Sequence, residues 1–444
     1  MFILRDLLRP LQAHFSDTAL GQERASLFAY TLLSIVVPFT SSMTANCLRC
    51  LETLFGIAIK KKRFYTFMAS STLPWQTLWS TTWGLISTPE TDGRVLVAVD
   101  DSINPKVGKH IFGCDTIFDH AAKANQSQYP WGQNLVAVGM LKRIKGRWAC
   151  LFLDFRFYLA QKTIAAKRVN AQVKGQIVPF QTKLEQASQM LIGIGRFYAQ
   201  RPLLAVMDSW FGNNGLFKPV RQALGDDFNL LSRLRSNAVL HALPETKPGQ
   251  RGRRCKYGQR LGSVADVAAD VRASAIRYRV DLYGKQRDVL AYTRVVMLRT
   301  LKCPVRVVWV FRNTQWVALF TTDLDLSVSQ IIEYYGARWK IEAGFKELKQ
   351  DIGSRTCQSR NAQAVINHLQ LCMMASTLTW IYADRLKTDP QRRHKVKGRT
   401  GFAFSDVRRI IAEAALDEDF ARVCPKPGNP PKNPLVAVLL RMVA

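Results

Sequence analysis

Apolar residues recur at three- and four-residue intervals from Leu20 to Ile59, with Pro38 as a break, and this period predicts a helical segment over residues 1–88. At Asp92 the pattern changes. The run from Arg94 to Asp100 follows Asp-Gly and is apolar between its ends, which predicts a strand buried on both faces. After a polar loop holding Lys106, Lys109 and Trp131, residues 134–142 and 148–157 read as two strands joined at Lys145-Gly146. Residues 181–199 are amphipathic with a helical period, 203–208 form a second buried strand, 211–224 suggest a helix and 228–234 a further strand. The predicted order is therefore strand, hairpin of two strands, helix, strand, helix, strand.

Residues 235–326 have a different texture. They open on a loop rich in Pro, Gly and Arg and continue as alternating strands at 276–283, 305–311 and 316–320, which reads as a β-rich insertion. Ser327 with Gln330 makes a capping-box start for a helix that Gly353 would stop, and a second apolar helix spans 362–386. The final sixty residues are basic and in places rich in proline. The fold class expected is α/β, with helical regions at both ends of the chain.

Composition adds a partner to this outline. The chain has 444 residues, 48% of them hydrophobic, enough for a sizeable core. Its 63 Lys and Arg outnumber 33 Asp and Glu for a net charge of +30, spread along the chain, so a folded basic surface for a polyanion is implied. Nucleic acid is the leading partner. The longest apolar stretch, 27–39, falls short of the ~20 residues a membrane helix needs, and Arg5, Asp6 and Arg9 interrupt the apolar N-terminus, so neither a membrane span nor a secretory leader is expected. Nine scattered cysteines suit reduced thiols. The one Cys-x-x-Cys pair, Cys47 and Cys50, reads as two buried residues on one helix face. No Walker-type loop and no Ser/His/Asp spacing accompanies the six histidines.

The acidic residues carry more. Asp100 and Asp101 end one apolar strand, Asp208 ends another, and Glu342 lies in the capped helix. A carboxylate at the end of a buried strand is costly unless paired, solvated or bound to a cation, although acidic residues also end strands because they favour turns. Two such residues on neighbouring strands, with a Glu from a packed helix, would form an all-oxygen cage for Mg²⁺ or Mn²⁺ suited to two-metal phosphodiester chemistry. On a continuous helix, Tyr335, Arg338, Glu342 and Lys349 fall within a stripe about 60° wide at ~100° per residue. Such a stripe suits either metal and phosphate binding or a solvated Arg–Glu pair.

The segment Tyr335-Gly-Ala-Arg338-Trp339-Lys340-Ile341-Glu342, continuing to Lys346 and Lys349, resembles the Y-(2)-R-(3)-E-(6)-K signature of IS4-type DDE transposases, the group that includes the Tn5 and Tn10 enzymes. Ala98-Val-Asp100-Asp101-Ser102 looks like the family's first motif, where the catalytic Asp precedes Thr or Ser, so Asp101 is favoured over Asp100; residues 204–208 are similar to the second motif. The resemblance implies an RNase H-like DDE core over 89–385 interrupted by the β-rich insertion 235–326; set before it, the basic helical segment 1–88 reads as a DNA-binding domain, and the C-terminal region 386–444 is assigned to dimerisation or DNA contacts.

It implies further that Asp101, Asp208 and Glu342 are catalytic and hold two Mg²⁺ or Mn²⁺ ions, and that Tyr335, Arg338, Lys346 and Lys349 bind phosphates. Trp316, with Trp309 as runner-up, would take the place of the tryptophan that stacks on a base flipped out during hairpin formation. Ser209 departs from relatives with a basic residue there. Arg251, Arg253 and Arg254, and a second cluster at Arg392, Arg393, Lys395, Lys397 and Arg399, would contact DNA phosphates. The expected protein is a cut-and-paste transposase, cytoplasmic and nucleoid-associated in a bacterium. It would act as a homodimer on double-stranded DNA, pairing the terminal inverted repeats of an insertion sequence and joining them to target DNA. The alternatives are an RNase H-like nuclease without strand transfer and a catalytically inactive DNA-binding derivative.

Overall fold

The computed structural model describes residues 3–38, 41–119, 122, 124–245, 255–394 and 401–416. Five helices come first: α1 (Ile3–Gln12), α2 (Ala19–Val36), α3 (Thr44–Phe55), α4 (Lys61–Met68) and α5 (Trp75–Gly84). Cys47 and Cys50 both turn inward on α3, as their spacing predicts, and burial pushes both thiols up to about 12.

The middle of the chain builds one sheet of twelve strands. Its first part comprises β1 (Val95–Pro105), β2 (Cys114–Thr116), β3 (Trp131–Ile144) and β4 (Arg147–Tyr158). The β3–β4 turn places Lys145 at φ 49° and Gly146 at φ 74°, the two left-handed positions that a tight hairpin requires. After α6 (Gln161–Ala165) and the small hairpin β5 (Gln172–Val173) and β6 (Gln176–Ile177) come α7 (Lys183–Phe197), β7 (Leu203–Met207), α8 (Asn214–Leu224) and β8 (Phe228–Arg233). β3 runs antiparallel to β4 and β1, whereas β1, β7 and β8 are parallel, giving the spatial order β4-β3-β1-β7-β8. This order is compatible with an RNase H-like core. The residues of β7 and the first half of β1 are buried without exception, which explains their uninterrupted apolar sequence.

The segment expected to be β-rich contains β9 (Val239–His241), β10 (Arg260–Ser263), β11 (Ile276–Leu282), β12 (Lys285–Leu298), β13 (Cys303–Arg312) and β14 (Gln315–Thr321). It also contains a helix absent from the sequence reading, α9 (Val264–Val271), whose start is the capping box of Ser263 and Asp266. These strands extend the same sheet: β14 pairs with β8, so the twelve strands form one continuous ladder system. The Arg251, Arg253 and Arg254 cluster lies outside the described residues, as do Lys395, Lys397 and Arg399.

Helices α10 (Val328–Ala337) and α11 (Trp339–Lys346) follow, with the predicted Ser327–Gln330 capping box in place. The single stripe drawn on a continuous α-helix needs correction. A turn at Arg338 separates α10 from α11, and residues Glu347–Asp351 form a π-helical turn that changes the rotation per residue before Lys349. Gly353 ends the series at φ 82°.

The long helix α12 (Ala362–Arg385) joins the two ends of the chain. The Trp75 indole donates to Asn367 Oδ1 at 2.8 Å, and Asn367 Nδ2 donates to the Met68 carbonyl at 2.9 Å. The first five helices therefore share one apolar core with the sheet. The last described helix, α13 (Phe404–Ala415), sends the buried Arg408 to the carbonyls of Val36, Ile35 and Asp351. Among the described residues no helix is long and apolar enough to cross a membrane.

Candidate active site

The parallel pairing of β1 with β7 sets the site. Val99 lies opposite Met207, so one residue further on Asp100 and Asp208 stand level on adjacent strands with their side chains on the same face. Asp208 follows the last residue of β7, where one carboxylate oxygen accepts the backbone N–H groups of Trp210 and Phe211, each at 3.0 Å. That leaves its second oxygen unengaged by this turn.

α11 crosses this face and contributes Glu342. Between Asp100 and Glu342 sits the Arg338 guanidinium, donating to Asp100 Oδ2 at 3.2 Å and to Glu342 Oε1 at 3.1 Å. The turn between α10 and α11 falls at Arg338, and its side chain is buried. The guanidinium Nε–H is buried without a partner. Tyr335 flanks it, with the Arg338 guanidinium 5.7 Å from the ring centre.

Burial is the main force on these acids. It pushes Asp100 up to about 7, against the opposing pull of Arg338 and the Asp101 N–H, while the charges of Asp101 and Asp208 add to the rise. Glu342 is also raised by burial, with Arg338 opposing and Asp208 adding. For Arg338, burial favours the neutral form, but the charges of Asp100, Tyr335, Glu342 and Asp208 outweigh it and hold the guanidinium above its ordinary range. Asp100 and Glu342 thus both feel the charge of Asp208.

Asp101 lies elsewhere. Adjacent residues of a strand point to opposite faces, and Asp101 Oδ2 accepts from Lys183 at 2.8 Å and from Asn134 at 3.1 Å. Lys183 in turn lies 5.2 Å from the Tyr158 ring and 5.7 Å from that of Trp210. The structure therefore brings Asp100, not Asp101, together with Asp208 and Glu342. The motif spacing that favoured Asp101 carries no information about which face the Glu-bearing helix covers.

The remaining expected residues divide. Lys349 donates to Ser102 Oγ and the Ile103 carbonyl, both at 2.6 Å, so the π-helical turn aims its amine at β1. Lys346 is exposed at the end of α11. Trp316 lines a cavity of about 630 Å³ with Ser209, Arg233 and Arg235, beside the turn that carries Asp208. Trp309 is a core residue whose indole N–H donates to the Val264 carbonyl at 3.2 Å. Arg233, whose charge also bears on Tyr335, escaped the sequence reading. The signal available was its position at the carboxyl end of the strand next to Asp208. The exposed Trp210 and Trp339 were missed as well, each one or two places from a site residue.

The donor set fits a hard divalent cation in its chemistry, since all its ligating atoms are carboxylate oxygens and one of them is deprived of solvent. Among the described residues, however, no three His, Cys, Asp or Glu side chains are gathered closely enough to hold an ion without rearrangement. In this arrangement Arg338 is the cation that Asp100 and Glu342 share.

No curated protein matches the chain. A family description, DDE superfamily endonuclease, matches residues 41–287, a span that includes Asp100, Asp101 and Asp208 and ends before Glu342. Endonucleases of this superfamily act on DNA and generally use divalent metal ions. With more than half of its length matched, and with paired strands that bring two acids level beneath a helix carrying a third, the chain belongs to the DDE superfamily endonucleases.

Proposed function

We propose that the protein is an IS4-type cut-and-paste transposase whose catalytic acids are Asp100, Asp208 and Glu342. The observation that carries this reading is the shared guanidinium: Arg338 joins Asp100 of β1 to Glu342 of α11, while the β1–β7 register sets Asp100 level with Asp208. The three acids would hold two Mg²⁺ or Mn²⁺ ions. Bound there, the ions supply activation of the attacking water or 3′ hydroxyl and stabilisation of the leaving oxygen.

The chain's own residues do the rest. With a metal ion in its place between Asp100 and Glu342, the Arg338 guanidinium would turn to a non-bridging phosphate oxygen, with Tyr335 and Lys346 beside the same strand of DNA. Lys349 braces β1 next to Asp101 and Asp100, which makes it a positioning residue through Ser102. Trp316 provides an aromatic wall for an unstacked base, and Arg233 and Arg235 offer charges for its phosphate. Residues 235–326 act as the insertion of an RNase H-like core spanning 89–385, residues 1–88 read the inverted repeats, residues 386–444 support a homodimer on paired ends, and excision passes through hairpin ends. The site of action is the nucleoid in the bacterial cytoplasm.

The test is incubation of purified protein and Mg²⁺ with the DNA that flanks its own gene. Hairpin or joined products support the transposase. Nicks alone would assign a nuclease without strand transfer, and a mobility shift without cleavage a non-catalytic binder. Asp208→Ala should abolish cleavage and retain DNA binding. Asp100→Asn should abolish it too, whereas Asp101→Asn should retain measurable cleavage; the reverse pair of outcomes would return the role to Asp101.

A further inference from the structure

A second cavity, of about 660 Å³, opens beyond the carboxyl end of β1, away from the acids. Its walls include Lys109, His110, Trp131, Arg168, Val107 and Val169, and among the described residues no acidic one lines it. Lys106 anchors the floor by donating to the carbonyls of Arg355 at 2.8 Å and Cys357 at 3.0 Å. The indole N–H of Trp131 donates to the Gly108 carbonyl at 3.1 Å, which fixes the ring at the cavity wall. Lys109, His110 and Arg168 are exposed, and no ion pair with another described residue engages Lys109 or Arg168.

The mouth is unusual for a solvated surface. Val107 is 88% exposed and Val169 59%, and two residues before Trp131 the exposed ring of Tyr129 packs at a tilt against Phe118 at 5.2 Å between centres. Exposed apolar side chains among unpaired cations, with an aromatic ring held in the wall, combine the two contacts a nucleotide demands: a stacking surface and an anion partner.

We infer that this cavity binds an unpaired nucleotide of the DNA strand, with its base against Trp131 and its phosphate between Lys109 and Arg168. The inference rests on the reading of the protein as a DNA-cutting enzyme and adds a second nucleotide site to the one at Trp316. From Asp100 to Lys106 the chain rises ~20 Å at ~3.3 Å per residue, a distance that an extended unpaired strand crosses in a few nucleotides. The captured nucleotide therefore lies a few positions from the scissile phosphate, where it would hold the strand leaving the acids.

The experiment uses the full-length protein in EDTA, so that no cleavage occurs, with two fluorescein-labelled probes: a blunt duplex, and the same duplex with a single-stranded tail containing 2-aminopurine. The wild type should bind the tailed probe about tenfold more tightly than the blunt one, in keeping with one stacked base, and should quench the 2-aminopurine. Trp131→Leu should lose the quenching. The surface variant Lys109→Glu with Arg168→Glu, which leaves the core untouched, should lose the preference for the tail and keep its affinity for the blunt probe. Retained preference and quenching in both variants would overturn the pocket while leaving the DNA reading intact. Failure of the wild type to bind either probe would overturn both. Displacement of the tail by poly-glutamate as readily as by oligothymidylate would assign the cavity to an acidic peptide and overturn the nucleotide.

Discussion

Replacing Asp100 with Asn keeps the shape of the side chain and removes its charge from a buried place. In the folded protein this carboxyl titrates near 7, against an ordinary 3.8, chiefly because burial penalises its ionised form. A folded value raised above the unfolded one means that the native state binds the proton more tightly, so the stability linked to this group is fully present below pH 3.8 and is lost as pH rises towards 7. At ~1.4 kcal/mol per unit, the roughly three units between the ordinary value and about 7 cost the wild type on the order of 4 kcal/mol. Asn has nothing to titrate, so Asp100→Asn should equal the wild type below about pH 4 to within about 1 kcal/mol and exceed it at about pH 8 by roughly 4 kcal/mol. Urea unfolding followed by tryptophan fluorescence, in EDTA across this range, measures the difference. Because Glu347 is also raised to about 7 by burial, the subtraction of variant from wild type is the informative quantity. Adding Mg²⁺ at the alkaline end should stabilise the wild type and leave the variant unmoved. Parallel pH profiles for the two proteins would refute the assignment of Asp100 as the desolvated acid of this site.

Three more outcomes follow from the same contacts. Arg338→Gln removes the guanidinium shared by Asp100 and Glu342, so Mn²⁺ should bind several-fold more tightly while DNA cleavage falls; calorimetric titration with Mn²⁺ in the absence of DNA checks the first half. Trp309→Ala should destabilise the protein by ~3–5 kcal/mol, read as a lower urea midpoint, because a fully buried indole and its bond to Val264 are both lost. Arg408→Met leaves the carbonyls of Val36, Ile35 and Asp351 without their donor, and a loss of ~3 kcal/mol or more should appear in the same assay.

What the sequence makes legible here depends on whether a pattern has one physical reading. The runs of β1 and β7 are buried on both faces, so their strands are plain from composition alone. The same double burial hides their orientation: with apolar residues on either side, nothing in Val95–Val99 says whether Asp100 or Asp101 faces α11, and a shift of one residue exchanges the two. The Lys145-Gly146 turn and the Ser327–Gln330 box are local chemistry and were readable as such. α9 carries the same kind of signal in Ser263 and Asp266, but its eight residues sit among alternating strands whose period dominated the window. The turn at Arg338 and the π-helical turn after Lys346 have no proline to mark them. Both fall where a charged side chain reaches β1, Arg338 to Asp100 and Lys349 to Ser102, tertiary contacts that periodicity does not record.

Because β14 is hydrogen-bonded to β8, and β8 to β7, the wall bearing Trp316 and the turn bearing Asp208 are parts of one stiff plate. Such a plate has no hinge along which the aromatic wall could swing toward the acids. If Trp316 receives an unstacked base as proposed, the strain of drawing it from the helix would be borne by the duplex, whose own flexibility at each sequence step would set how easily a given end is processed.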